Sequence, residues 1–254
     1  MDTTAAIPIR ETPQLKRASL LALAFVAVLW IVKIFESLAG LDLTDFGVRP
    51  HEWYGLTGIL TSPLVHGSYE HLIMNSVPLA VLLALARFNY PSGSWRALAF
   101  IWIAGGIGLW LIGRPSWHIG ASGITHGLMF YLFVIGLLRR DRYAIAVALI
   151  VFFLYGGMVA TVLPREPGVS WEAHLSGALA GAIAAFLWQK RDPPAALPKP
   201  SWELEAEIVN DADTYELPRP DRVPVLWHRL PDERGVVLEF PRRRRDDDTP
   251  PTLH

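Results

Sequence analysis

The chain has 254 residues, a formal net charge of −1 and 52% apolar residues, a balance that suits neither a nucleic-acid binder nor a disordered acidic tail. It contains no cysteine, which excludes disulfides, a thiolate nucleophile and cysteine-ligated metal. The averages conceal two regions: residues 18–189 hold long apolar runs with few charges, whereas residues 190–254 hold most of the acidic groups, many prolines and the run Arg242 to Arg245 followed by three aspartates.

A hydrocarbon core about 30 Å thick needs roughly 20 apolar residues of helix to cross it. Residues 1–17 read as an N-terminal tail, and the first crossing is expected at 18–38. No small-residue cleavage site with a soluble domain behind it follows that run, so it is expected to stay uncleaved. The first loop, 39–68, is long. Its segment from Trp53 to Val65 is apolar but too short to cross, and Gly55, Gly58 and Pro63 interrupt it, so an interfacial or re-entrant position is expected. Five further spans follow at 69–88, 95–113, 120–138, 143–163 and 171–189, separated by turn-like connectors rich in Pro, Gly, Ser and charge. Residues 190–254 have the composition of a solvated tail, in which only 235–240 suggests a short strand. The fold class is therefore an all-α polytopic bundle of six transmembrane helices with disordered tails.

Lys and Arg accumulate on the cytoplasmic side of a membrane. With six spans, one face receives Arg10, Lys16, Arg17, Arg87, Arg96, Arg139, Arg140, Arg142, Lys190 and Arg191, while the other receives Arg49, Arg114 and Arg165. Both termini are then cytoplasmic, and the second, fourth and sixth helices all begin at the outer face.

Polar side chains inside a bilayer are costly and tend to carry function. His71 and Asn75 open the second helix, Ser122 opens the fourth and His174 lies near the start of the sixth, so connectivity alone brings them to one depth. Ser122 stands in Gly120-Ala121-Ser122-Gly123. It reads either as an ordinary N-cap serine or as a nucleophile, with Gly120 and Gly123 letting a substrate backbone approach and the helix start supplying N–H groups to an oxyanion. His174 shares a helical face with Gly177, Ala178 and Gly181, a small-residue strip that permits close contact with Gly123 and Gly127 of the fourth helix. The alternative is a packing motif with an incidental histidine. His71 and Asn75, spaced i, i+4, either form a structural pair or donate to a developing oxyanion. No acid is placed to orient His174, because Glu172 points to another side of its helix; a Ser–His dyad is the economical reading. His126, four residues after Ser122, either stacks on His174 or fills the interior. Metal ligation by His66, His71, His118, His126 and His174 is the main rival chemistry. The zincin H-E-x-x-H and its inverse are both absent, and no metal or other cofactor is expected.

The segments His71-Leu72-Ile73-Met74-Asn75, Gly120-Ala121-Ser122-Gly123 and Ala173-His174-Leu175-Ser176-Gly177-Ala178-Leu179-Ala180-Gly181 together resemble the rhomboid intramembrane serine proteases of the bacterial branch, over about residues 15–190. The resemblance implies Ser122 as nucleophile and His174 as general base. His71, Asn75 and the backbone N–H of Ser122 would form the oxyanion site, and His66 would support the first loop. It also implies transmembrane protein substrates cut near the outer face, a bacterial inner-membrane location and no nucleic-acid partner. The sequence leaves oligomeric state open. Two features depart from the family pattern: the first loop lacks a Trp-Arg pair, and His126 stands where some members place a tyrosine against the base. A pseudoprotease that binds clients without cutting them, and a small transporter, are the other readings; the first usually lacks the serine or histidine, and the second would show discontinuous midplane helices.

Overall fold

The computed structural model describes residues 12–164 and 168–192. The tail from 193 onward with its suggested strand at 235–240, and Arg10 and Arg165 of the charge argument, lie outside the described residues.

Among the described residues six long helices form: α1 Thr12–Ala39, α2 Tyr69–Asn89, α3 Gly93–Ile112, α4 Ser122–Arg139, α5 Arg142–Tyr155 and α6 Trp171–Trp188. Helix α1 starts well before the expected residue 18, with Pro13 in a first turn where a missing N–H removes no hydrogen bond. Helix α5 is shorter than its expected span. It gives way after Tyr155 to a tighter 3₁₀ stretch, Gly156–Val162, which begins at the pair Gly156-Gly157. Among the described residues, five helices, counting that extension with α5, are long and apolar enough to cross a membrane; α6 falls short on composition. Its first turn carries Glu172 and His174, and much of the remainder is Ala and Gly. The weaker hydropathy suits its place in the bundle, packed chiefly against α4 and then α3.

Small residues set that packing. A Cβ on Gly177 would overlap the carbonyl of Gly123, and one on Gly181 would overlap the carbonyl of Gly127, so the two backbones touch along this seam. The larger core also joins α2 to α4, where Leu79, Leu82 and Leu83 of α2 and Leu128, Leu132 and Ile135 of α4 are fully buried. Helix α1 leans on α2, with Trp30 Nε1 donating to Ser76 Oγ at 3.0 Å.

The first loop does not form a crossing helix. It is broken into the turns Thr44–Phe46, Trp53–Leu56, Gly58–Thr61 and Ser62–Leu64. The loop is pinned to α3 and to the α3–α4 connector: Trp102 Nε1 donates to the Ile59 carbonyl at 3.0 Å, Trp110 Nε1 to the Glu52 carbonyl at 3.0 Å, and Val48 and His118 exchange both backbone hydrogen bonds at 2.9 Å. At the opposite end of the bundle, the Asp192 carboxylate accepts from the Ser92 and Gly93 amides at 2.8 Å, and Arg139 donates to the Asp192 carbonyl at 2.6 Å. The start of α3 and the ends of α4 and α6 thus meet at one end, and the starts of α2, α4 and α6 at the other.

Candidate active site

Backbone geometry leaves the Ser122 hydroxyl out of the helix cap. The N-cap position of α4 belongs to Ala121, with no side-chain cap, so Ser122 is the first helical residue and its hydroxyl does not cap. Gly120 before it has φ +107°, a conformation that disfavours any side chain, and a Cβ there would lie 2.6 Å from His71 Cε1. Ser68 caps α2 by accepting from His71 N at 3.0 Å, and Ser170 caps α6 by accepting from Ala173 N at 3.3 Å. Each cap fixes the start of the helix that carries a candidate site residue.

Across the glycine seam, His174 Nε2 lies 3.0 Å from Ser122 Oγ. Its Nδ1 lies 3.0 Å from the carbonyl of Thr161. A carbonyl can only accept, so Nδ1 carries the proton and Nε2 presents its lone pair to the serine hydroxyl. This is the tautomer a general base requires. The ring of His126 is stacked on His174, with centroids 3.9 Å apart and planes 11° apart. His126 Nδ1 donates to the Ser122 carbonyl at 2.7 Å, and its Nε2 lies 2.8 Å from Thr161 Oγ1. Of the two options left by the sequence, His126 takes the stacked one.

Ser122, His174, His71, Asn75 and His126 line one cavity of about 1020 Å³, together with Met74, Pro78, Leu154, Tyr155 and Met158. Asn75 is buried, and its side chain donates to the His71 carbonyl at 2.9 Å. His71 is half-buried beside His66, ring centroids 5.1 Å apart. Gly120 faces a separate small cavity behind the helix start, and its N–H is taken by the Ser62 carbonyl at 2.9 Å. Its place at the site is to admit the His71 ring against the backbone rather than to present a donor.

His66 is almost fully buried, and its Nε2 accepts the Ala121 amide at 3.3 Å, tying the first loop to the start of α4. Burial, with His71 and Lys33 nearby, holds its pKa down at about 4. His118 also has its pKa lowered by burial; its Nδ1 lies 2.6 Å from Ser170 Oγ. Among the described residues, no three His, Asp or Glu side chains converge as a set of metal ligands.

Three contributors were not anticipated from the sequence. Thr161 supplies both its carbonyl and its hydroxyl; the only signal was the Gly156-Gly157 pair inside an expected span. Arg114 pairs with the buried Glu172 through Nε at 3.1 Å and donates to the Val169 carbonyl at the cavity rim. Glu172 is thereby engaged away from His174. His118, known from the sequence only as one of five outer histidines, joins the α3–α4 connector to the cap of α6.

A protein-family profile described as "Rhomboid domain" matches residues 50–191. An uncharacterized protein of Mycobacterium tuberculosis is 42% identical over 174 residues, covering 65% of this chain and 72% of that protein. The same figures hold for an uncharacterized protein of Mycobacterium bovis. One from Mycobacterium leprae is 37% identical over 174 residues, with 65% and 69% covered.

Proposed function

The chain belongs to the rhomboid family and is an integral, multi-pass membrane protein, and from that premise we propose that it is an intramembrane serine endopeptidase. Its substrates are transmembrane segments of other membrane proteins, cut near the outer face by the dyad of Ser122 and His174. The observation that carries this reading is the 3.0 Å approach of His174 Nε2 to Ser122 Oγ, in the tautomer fixed by the Thr161 carbonyl.

A helical peptide bond is shielded by its own hydrogen bonds, so the substrate unwinds locally before attack. His174 takes the Ser122 proton as Oγ bonds to the scissile carbonyl carbon. Negative charge collects on the former carbonyl oxygen, facing His71, the Asn75 amide and the backbone N–H of Ser122. His174 then returns its proton to the leaving nitrogen, the C–N bond breaks, and an acyl-enzyme remains on Ser122. Water entering the cavity loses a proton to His174 and attacks the ester carbon; the C–Oγ bond breaks and His174 returns the proton to Ser122 Oγ. Gly123, Gly177 and Gly181 act by holding the two helices close, and His66 by fixing the start of α4.

Residues 18–189 form the membrane domain in this reading. The flanking segments 1–17 and 190–254 are cytoplasmic, and the location is the inner membrane of a bacterial cell. The purified full chain should take up a serine-directed phosphonate on Ser122, and Ser122→Ala should abolish cleavage of a transmembrane peptide without lowering expression. A folded wild-type chain that neither reacts nor cleaves would instead be a client-binding pseudoprotease.

A further inference from the structure

We propose that Thr161 is a positioning residue for this reaction, its hydroxyl holding His126 and, through the stacked rings, the plane of His174. The proposal rests on the protease reading above and deepens it. A serine hydrolase with only a dyad lacks the carboxylate that elsewhere orients the base. Here two groups of one residue take that place. The carbonyl of Thr161 accepts Nδ1–H of His174, and the hydroxyl lies 2.8 Å from Nε2 of His126.

The proton count explains the second contact. His126 Nδ1–H is committed to the Ser122 carbonyl at 2.7 Å. In the neutral ring Nε2 therefore bears a lone pair, and the Thr161 hydroxyl is the donor that meets it. That hydroxyl also lies 2.8 Å from the Met158 carbonyl. Both are acceptors, so its one proton is shared between the Met158 carbonyl and His126 Nε2. His126 is thus fixed at both nitrogens, one by the nucleophile's own residue and one by Thr161. A ring fixed at both ends limits tilt of the ring stacked on it at 3.9 Å.

The test compares Thr161→Val, which keeps shape and carbonyl but removes the hydroxyl, with Thr161→Ser, which restores it. The full chain is assayed in detergent on a fluorogenic transmembrane peptide with a small residue at the cleaved bond. A misplacement of about 1 Å at reacting groups can cost on the order of a hundredfold in rate, and a tilt of the base is a smaller displacement. The expected result is a fall in kcat of about tenfold or more for Thr161→Val, KM within about twofold, and recovery to within about twofold of wild type in Thr161→Ser. A Thr161→Val kcat equal to wild type, or equal damage in both variants, overturns the proposal.

Nitrogen-15 histidine spectra give a readout that needs no activity. In Thr161→Val the His126 Nε2 resonance, which loses its hydrogen-bond donor, and the ring-current shift on His174 should both change, while Thr161→Ser keeps them. Should wild type neither cleave nor take the phosphonate, the protease reading fails by itself. Unchanged histidine resonances in Thr161→Val overturn the positioning role in either case.

Discussion

The two walls that hold His174 are built on opposite principles. On the α4 side, Gly177 and Gly181 lie against the carbonyls of Gly123 and Gly127 with no room for a methyl group. On the α5 side, the helix gives way at Gly156 to a 3₁₀ stretch, Gly157 has nothing within 4 Å of where its Cβ would be, and the cavity lies against this wall. The hydroxyl and imidazole meet across the close-packed seam, whereas the looser segment brings a carbonyl to His174 and a hydroxyl to His126. The lesson is a division of labour: distance is set where backbone touches backbone, and ring orientation is set where a short, irregular stretch presents a carbonyl and a hydroxyl.

The most severe way to break this contrast is to add a methyl group to the seam. Gly177→Ala forces α4 and α6 apart, and overpacking of this kind costs about 1–3 kcal/mol. A misplacement of about 1 Å at reacting groups can cost on the order of a hundredfold in rate. Activity on a transmembrane peptide should fall by at least that factor, with an earlier unfolding midpoint in detergent. Activity near wild type would show that the seam does not set the distance.

Acid sharpens the comparison, because the rigid side also depends on a buried neutral imidazole. The folded pKa of His66 is depressed to about 4, below an unfolded value of about 6.5. The stability linked to it is therefore fully present above pH 6.5 and is lost as pH falls from there toward 4. The loss amounts to roughly 3 kcal/mol across that window at 1.36 kcal/mol per unit. Unfolding midpoints measured between pH 7 and 4 should decline, and His66→Gln, though less stable at pH 7, should decline less steeply. Parallel curves for the two proteins would remove His66 as the source.

The smallest expected effect is on the loose wall. Gly157→Ala meets open space and should change stability by less than about 0.5 kcal/mol, as is usual for exposed substitutions. Cleavage should remain within about twofold of wild type, the rate equivalent of so small an energy. A loss comparable to that of Gly177→Ala would mean that both walls are equally constrained.

Taken alone, the sequence determined the helical membrane fold, because apolar runs and interposed turns depend only on local composition. It also brought Ser122, His174, His71 and Asn75 to one depth, since three helices beginning on the same side leave little freedom, and the glycine spacing named the seam. It named the contact of α6 with α4 but not its packing against α3. It was equally blind to α5 breaking after Tyr155. Tertiary structure alone decided that Ala121 rather than Ser122 takes the cap position, that the Gly120 amide is occupied by Ser62, that His126 stacks rather than fills, and that Thr161 faces both imidazoles. Each of these is a contact made by a backbone group or across a long sequence separation. A carbonyl oxygen is the same in every residue, so no pattern of side chains could reveal which one His174 would meet.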